Sequence, residues 1–275
     1  MPELNPRDLA NTAWAFATAR QDSPVLFGAL ANETAKLLHN FDQKQLSSTL
    51  WAFAKSGHES SMVVKMMEEE ALFRMHEFDP QGLSNIAWAF ATARHESPLL
   101  FEALAKEAIG RMPEFKPQAL ANTAWAFASS SHNSSVLFET LANETARRMP
   151  ELNPRDLANT AWAFATARQD SPVLFGALAN ETAKLLHNFD QKQLSSTLWA
   201  FAKSGHESSM VVKMMEEEAL FRMHEFDPQG LSNIAWAFAT ARHESPLLFE
   251  ALAKEAIGRM PEFKPQALAN TAWAF

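Results

Sequence analysis

Two columns of side chains with cationic and hydrogen-bonding chemistry recur through the chain at a fixed interval. The first holds Arg7, Lys44, Gln81, Gln118, Arg155, Lys192, Gln229 and Gln266. The second, four residues later each time, holds Asn11, Ser48, Asn85, Asn122, Asn159, Ser196, Asn233 and Asn270. Four residues are close to one helical turn, so on a helix the two columns share a face. Arg and Lys there can hold phosphate through charge-assisted bonds, while Asn, Gln and Ser can donate to and accept from base edges. Repeat proteins that read RNA use such sets, two or three side chains per repeat against about one base. Thr18, Lys55, Thr92 and Ser129 continue the same face about two turns further on.

Other chemistries find no foothold. The chain has no cysteine, which removes thiol nucleophiles and zinc–thiolate sites. Its histidines fall in two columns, His58, His95 and His132 and then His39 and His76, each with later copies. Stacked repeats would hold them about 8–10 Å apart, too far to share a metal, so they are expected to be solvated turn residues. Glu70, Glu107 and Glu144 each have an arginine four residues on (Arg74, Arg111, Arg148), the favourable helix-pair orientation. They are expected to be structural and not general acids or bases. No phosphate loop, dinucleotide fingerprint, zinc-protease motif or nucleophile elbow is present. The expectation is a binding protein, not an enzyme, with no catalytic residue, cofactor, metal or small-molecule substrate.

The elements that must position these columns follow from a 37-residue repeat. All eight tryptophans occupy one column, Trp14, Trp51, Trp88, Trp125, Trp162, Trp199, Trp236 and Trp273. Repeats start at residues 4, 41, 78, 115, 152, 189, 226 and 263, giving seven full units and the first helix of an eighth. First helices open at a capping residue followed by proline, as in Asn5-Pro6 and Asp79-Pro80. Leu4 and Leu9, like Phe41 and Leu46, stand where a hydrophobic staple would close over it. A second helix opens at Ser23-Pro24, with Ser60, Ser97 and Ser134 in the same column, after a short turn such as Arg20-Gln21-Asp22. A two-helix unit of this size cannot bury its apolar face alone and must stack on its neighbours. The fold class predicted is all-α, a right-handed α-solenoid of helical hairpins forming one array over residues 4–275. Residues 149–275 copy residues 1–127 without a change. Neither end reads as a polar capping repeat, so the sequence is expected to be a piece of a longer protein.

Helical spacing assigns the faces. Leu9, Ala13, Phe16 and Ala17 form the buried stripe of the first helix, and Trp14 lies at its edge, where packing into the core between repeats is expected because large aromatics dominate buried layers. The second helix is expected to bury Leu26, Phe27, Leu30 and Leu38. Net charge is −8, yet the first-helix halves sum to +6 and the remainder to −14. One layer is mildly basic and the other acidic, so a polyanion can be held on the first despite the total. No apolar run approaches the ~18 residues of a membrane span, and Met1 is followed by neither a signal-peptide core nor an Arg/Ser-rich transit segment.

The first-helix motif Leu9-Ala-Asn-Thr-Ala-Trp14-Ala-Phe16-Ala, repeated at Leu46–Ala54, Leu83–Ala91 and Leu120–Ala128, resembles the octotricopeptide repeat family. Its long algal arrays often carry a RAP domain. The resemblance covers the whole chain, although the second repeat has Gln43 where the others have proline, and no RAP domain is visible. It implies single-stranded RNA as partner, contacted from the first-helix face in a chloroplast or mitochondrion, in RNA stability or translation. A protein-interaction scaffold is the alternative.

Overall fold

The computed structural model describes residues 4–58, 61–132, 134–206 and 209–275. It is all-helical, with no strand among the described residues. The chain divides into two compact units, Met1–Thr140 and Leu141–Phe275. The first holds α1 (Pro6–Thr18), α2 (Pro24–Leu37), α3 (Gln43–Ser56), α4 (Ser61–Phe73), α5 (Pro80–Ala93), α6 (Pro98–Arg111) and α7 (Pro117–Ser129). The boundary falls within α8 (Ser135–Arg147). The second holds α9 (Pro154–Thr166), α10 (Pro172–Leu185), α11 (Gln191–Ser204), α12 (Ser209–Phe221), α13 (Pro228–Thr240), α14 (Pro246–Gly258) and α15 (Pro265–Ala274). A three-residue 3₁₀ turn, such as Leu38–Asn40 or Met75–Glu77, leads from each second helix to the next first helix.

Each unit is an α-solenoid. In the first, α1, α3, α5 and α7 pack side by side as one layer, and α2, α4 and α6 follow as the other. In the second, α9, α11, α13 and α15 form the first-helix layer, with α10, α12 and α14 beside it. Local chemistry sets the helix starts. Asn5 Oδ1 accepts from the Asp8 amide at 3.0 Å, and Asp79 Oδ1 from the Gly82 amide at 2.7 Å. The second repeat, lacking proline, uses a capping box instead: Asp42 accepts from the Gln45 amide while Gln45 accepts from the Asp42 amide. Second helices start differently. Ser23 and Ser97 make no side-chain cap, and the Ser97 hydroxyl is buried without a partner, whereas Ser134 accepts from the Leu137 amide. Ser60 lies outside the described residues.

Apolar columns fill the space between layers. Leu46, Phe53, Leu83, Phe90, Leu120 and Phe127 are buried on the first helices, facing Phe27, Leu100 and Phe101 of the second. Phe27 meets Phe53 edge-on at 5.5 Å, and Phe101 meets Phe127 at 5.0 Å, the geometry that aromatic quadrupoles favour. Two positions depart from expectation: Phe16 and Leu26 stay half-exposed in the first hairpin. Arginine supplies a tie that spacing did not suggest. Arg74 Nη1 donates to the Phe41 carbonyl and Arg111 Nη1 to the Phe78 carbonyl, each at 2.6 Å. The end of a second helix is thereby clasped to the entry of its own hairpin. Arg222 and Arg259 do the same to Phe189 and Phe226.

Candidate nucleic-acid interface

The two polar columns emerge together on the first-helix layer of each unit. Arg7, Lys44, Gln81 and Gln118 are exposed, as are Arg155, Lys192, Gln229 and Gln266. One turn on, Asn11 is exposed, while Ser48, Asn85, Asn122, Asn159, Ser196, Asn233 and Asn270 are half-buried. At three of the four glutamine repeats the columns join. Gln81 Nε2 donates to Asn85 Oδ1 at 2.9 Å, Gln229 to Asn233 at 2.9 Å and Gln266 to Asn270 at 3.0 Å. This bond uses the glutamine nitrogen and the asparagine oxygen, and leaves the asparagine amide nitrogen as a donor and the glutamine oxygen as an acceptor for a ligand. Such a pair can meet the mixed donor and acceptor edge of an unpaired base.

The tryptophans do pack between repeats, but they are not core. Trp88 lies between Trp51 and Trp125, with ring centroids 5.9 and 6.1 Å apart and planes about 30° from parallel. In the second unit Trp236 lies between Trp199 and Trp273 at 5.9 and 6.4 Å. Every indole keeps an edge at the surface: Trp14 and Trp273 are exposed and the six others half-buried. The expectation rested on size and apolarity, whereas helical angle places Trp14 about 20° from Arg7 around the axis. A ladder of rings therefore runs alongside the amide columns. Lys203 Nζ sits 5.9 Å from the Trp236 ring centre, marking that face as attractive to cations. The third column is less available than its spacing suggests, because the hydroxyls of Thr92, Ser129, Thr166 and Thr240 are buried without partners.

The histidines also need correcting. His39, His76, His187 and His224 are exposed on the 3₁₀ turns, as expected of solvated residues. The other column is half-buried and bridges hairpins. His58 Nε2 lies 2.7 Å from Asp22 Oδ1 and its ring packs on Phe27, while His95 Nε2 lies 3.2 Å from Glu68 Oε2. His132 stacks on Phe101 at 4.4 Å, and burial there pushes its pKa down against the opposing charge of Glu96. Of the glutamates, Glu70 pairs with Arg74 at 3.3 Å and Glu144 with Arg148 at 3.7 Å, whereas Arg111 turns instead to Glu114 at 2.9 Å. The Arg74 guanidinium and the Gln43 amide hold the Glu77 carboxyl below its ordinary range. Among the described residues no three His, Asp or Glu side chains gather to hold a metal ion, and no helix is long and apolar enough to cross a membrane.

Residues 1–241 match the family model of the RNA-editing substrate-binding complex 6 protein. The chain belongs to that family. A member of the RNA-editing substrate-binding complex 6 protein family thus has a helical-repeat body, and the match is not specifically to octotricopeptide arrays or to RAP-bearing proteins. No curated protein matches the chain. Within this family member, sequence reasoning found the amide columns but missed the ring ladder beside them. The signal was the interval itself: Trp14 follows Arg7 by seven residues and Asn11 by three, which puts all three on one face.

Proposed function

We propose that the chain binds single-stranded RNA along its first-helix layer, at about one nucleotide per repeat, and acts by binding and not by catalysis. The observation that carries this reading is the pairing, in each unit, of an amide column with a tryptophan ladder on the same face. Exposed aromatic edges can pack against any base without reading its identity, and amides choose among bases by their edges. Membership in a family named for an RNA-editing substrate-binding complex supports RNA as the ligand. The octotricopeptide-like motif supports work in an organelle, chloroplast or mitochondrion, in RNA stability or translation.

Selection from a random RNA pool tests the reading. Asn11, Asn85 and Asn122 are expected to prefer alike and Ser48 to differ, with Asn159, Asn233, Asn270 and Ser196 repeating the series in the second unit. Asn85→Ser is expected to change preference at one position by about 1–3 kcal/mol, the scale of a bidentate base contact. Arg7→Ala is expected to weaken all sequences together, as loss of a phosphate contact does. A pool from which no sequence is enriched, with binding indifferent to salt, refutes the proposal.

A protein partner on the other layer is a second reading with its own support. The second residue of each second helix is apolar and exposed: Val25, Met62, Leu99 and Val136 in the first unit, Val173, Met210 and Leu247 in the second. These columns stand on the acidic layer, away from the amides. A partner held there would leave RNA binding intact.

A further inference from the structure

The arginines divide by layer. Those of the second helices, Arg74, Arg111, Arg147, Arg148, Arg222 and Arg259, each hold a glutamate at 2.5 to 3.2 Å. Those of the first-helix layer, Arg7, Arg20, Arg94, Arg155, Arg168 and Arg242, are exposed, and none has a carboxylate at ion-pair distance among the described residues. An unpaired guanidinium is free to bind an anion.

Four of these six share an uncommon backbone. Arg20, Arg94, Arg168 and Arg242 end their first helices with φ of 53°, 52°, 54° and 51°, the left-handed region that side chains with a Cβ disfavour. The turn they make is a six-residue cap: the Arg20 amide donates to the Ala17 carbonyl and the Gln21 amide to that of Phe16. Glycine does this without strain and is present in the same column at Gly57 and Gly205, both at φ 69°. Where glycine takes the column, a lysine stands two residues earlier, Lys55 and Lys203. Closing the helix therefore requires the backbone angle but not the guanidinium. A cation at a helix C-terminus is favoured by the dipole, yet Lys55 supplies that from an unstrained position.

The cations of adjacent repeats also converge. Arg20 and Lys55 line one cleft of about 260 Å³ together with Gln21 and Ser56, over Phe16 and Ala17. Asp22 also lines this cleft, and its Oδ1 lies 2.7 Å from His58 Nε2.

We propose that Arg20, Lys55 and Arg94, and in the second unit Arg168, Lys203 and Arg242, form a phosphate-binding rail along the turn edge of the first-helix layer. It would hold the RNA backbone while the bases face the amide and tryptophan columns, so the proposal rests on the RNA-binding reading above. Arginine suits the task because its planar fork binds phosphate in two parallel bonds.

The test uses the full chain and a fluorescein-labelled random-sequence single-stranded RNA, with affinity followed by anisotropy across a salt series. Replacing Arg20, Arg94, Arg168 and Arg242 together by glycine removes four cations and relieves the left-handed strain, so the fold is expected to melt no earlier than wild type. Each lost phosphate contact lowers the slope of log K against log salt by about 0.7 for a single strand, so the slope is expected to fall by about 2.8. The matching four-lysine variant is expected to keep most of the slope. If wild type binds the RNA and the glycine variant keeps the wild-type slope, the rail is wrong and the RNA reading stands. If wild type does not bind the RNA at all, both fall.

Discussion

Trp88→Ala removes the middle ring of the first unit's ladder. Trp88 touches two indoles, Trp51 at 5.9 Å and Trp125 at 6.1 Å. Aromatic pairs at such distances contribute about 0.5–1.5 kcal/mol each beyond area burial, so the two together stabilise α5 by about 1–3 kcal/mol. Trp273 offers an internal comparison, since it is 63% exposed and meets Trp236 at 6.4 Å. Trp273→Ala is expected to cost α13 only about 0.5–1.5 kcal/mol. Amide exchange of α5 and α13 reads these local openings directly, and urea midpoints at unchanged slope give the global counterpart. RNA affinity adds a second readout. A base packed edge-on against the exposed rim contributes about 0.5–1.5 kcal/mol, and Trp88→Phe, which keeps a ring, is expected to lose less than Trp88→Ala. Equal losses from Trp88→Ala and Trp273→Ala would refute the ladder as a source of stability. A Trp88→Ala variant that binds RNA like wild type would remove the rings from the interface.

The clasp makes Arg111→Leu informative, because leucine stands naturally in that column at Leu37 and Leu185. It deletes a charged donor to the Phe78 carbonyl and is expected to cost about 1.5–3 kcal/mol in thermal or urea unfolding. Glu114→Gln, which touches only the exposed ion pair, is expected to cost under about 1 kcal/mol. His132 predicts a pH dependence. Its folded pKa is depressed by burial, so the neutral ring is the form the fold prefers. The stability this confers is present above the unfolded value of about 6.5 and is lost as pH falls through it toward the folded value. His132→Gln is expected to flatten that part of the melting-temperature profile between neutral and mildly acid pH, and an unchanged profile would contradict the assignment. Finally, α7 and α15 share the sequence PQALANTAWA, yet α7 buries Ala119, Leu120, Ala121, Thr123, Ala124 and Ala126 there and α15 buries only Ala267 and Thr271. Amides of α15 are expected to exchange faster than their counterparts in α7.

The hairpin was legible because its signals are local. A cap and a proline at the helix start, an apolar stripe at helical spacing and a polar turn all lie within one repeat, and the helices start where the prolines place them. The amide columns were legible for the same reason: an interval of four residues on a helix leaves their common face in no doubt. What escaped were contacts made between one repeat and the next or across a hairpin. His58 meets Asp22 across 36 residues, His95 meets Glu68 across 27, and Arg74 reaches the Phe41 carbonyl across 33. These depend on the register in which hairpins and layers stack, and periodicity alone does not contain that register.

The tryptophan column was misjudged for a different reason, and the misjudgement clarifies the design. Size and apolarity argue for burial, but a side chain about 20° from Arg7 on the helix cannot enter a core that Leu9 and Ala13 already fill. It buries itself sideways against the next repeat's indole instead, keeping one edge in solvent. That solution makes the constant residue a spacer for the variable ones. Within each unit the rings stack on one another, Trp51, Trp88 and Trp125 in the first and Trp199, Trp236 and Trp273 in the second, so those repeats are held at a similar offset while Lys, Gln, Asn and Ser change beside them. Stability of the array and variability of the reading face then come from different columns. If the chain binds RNA as proposed, Asn85→Ser is expected to alter which base is chosen while leaving the ladder, and the spacing it enforces, unchanged.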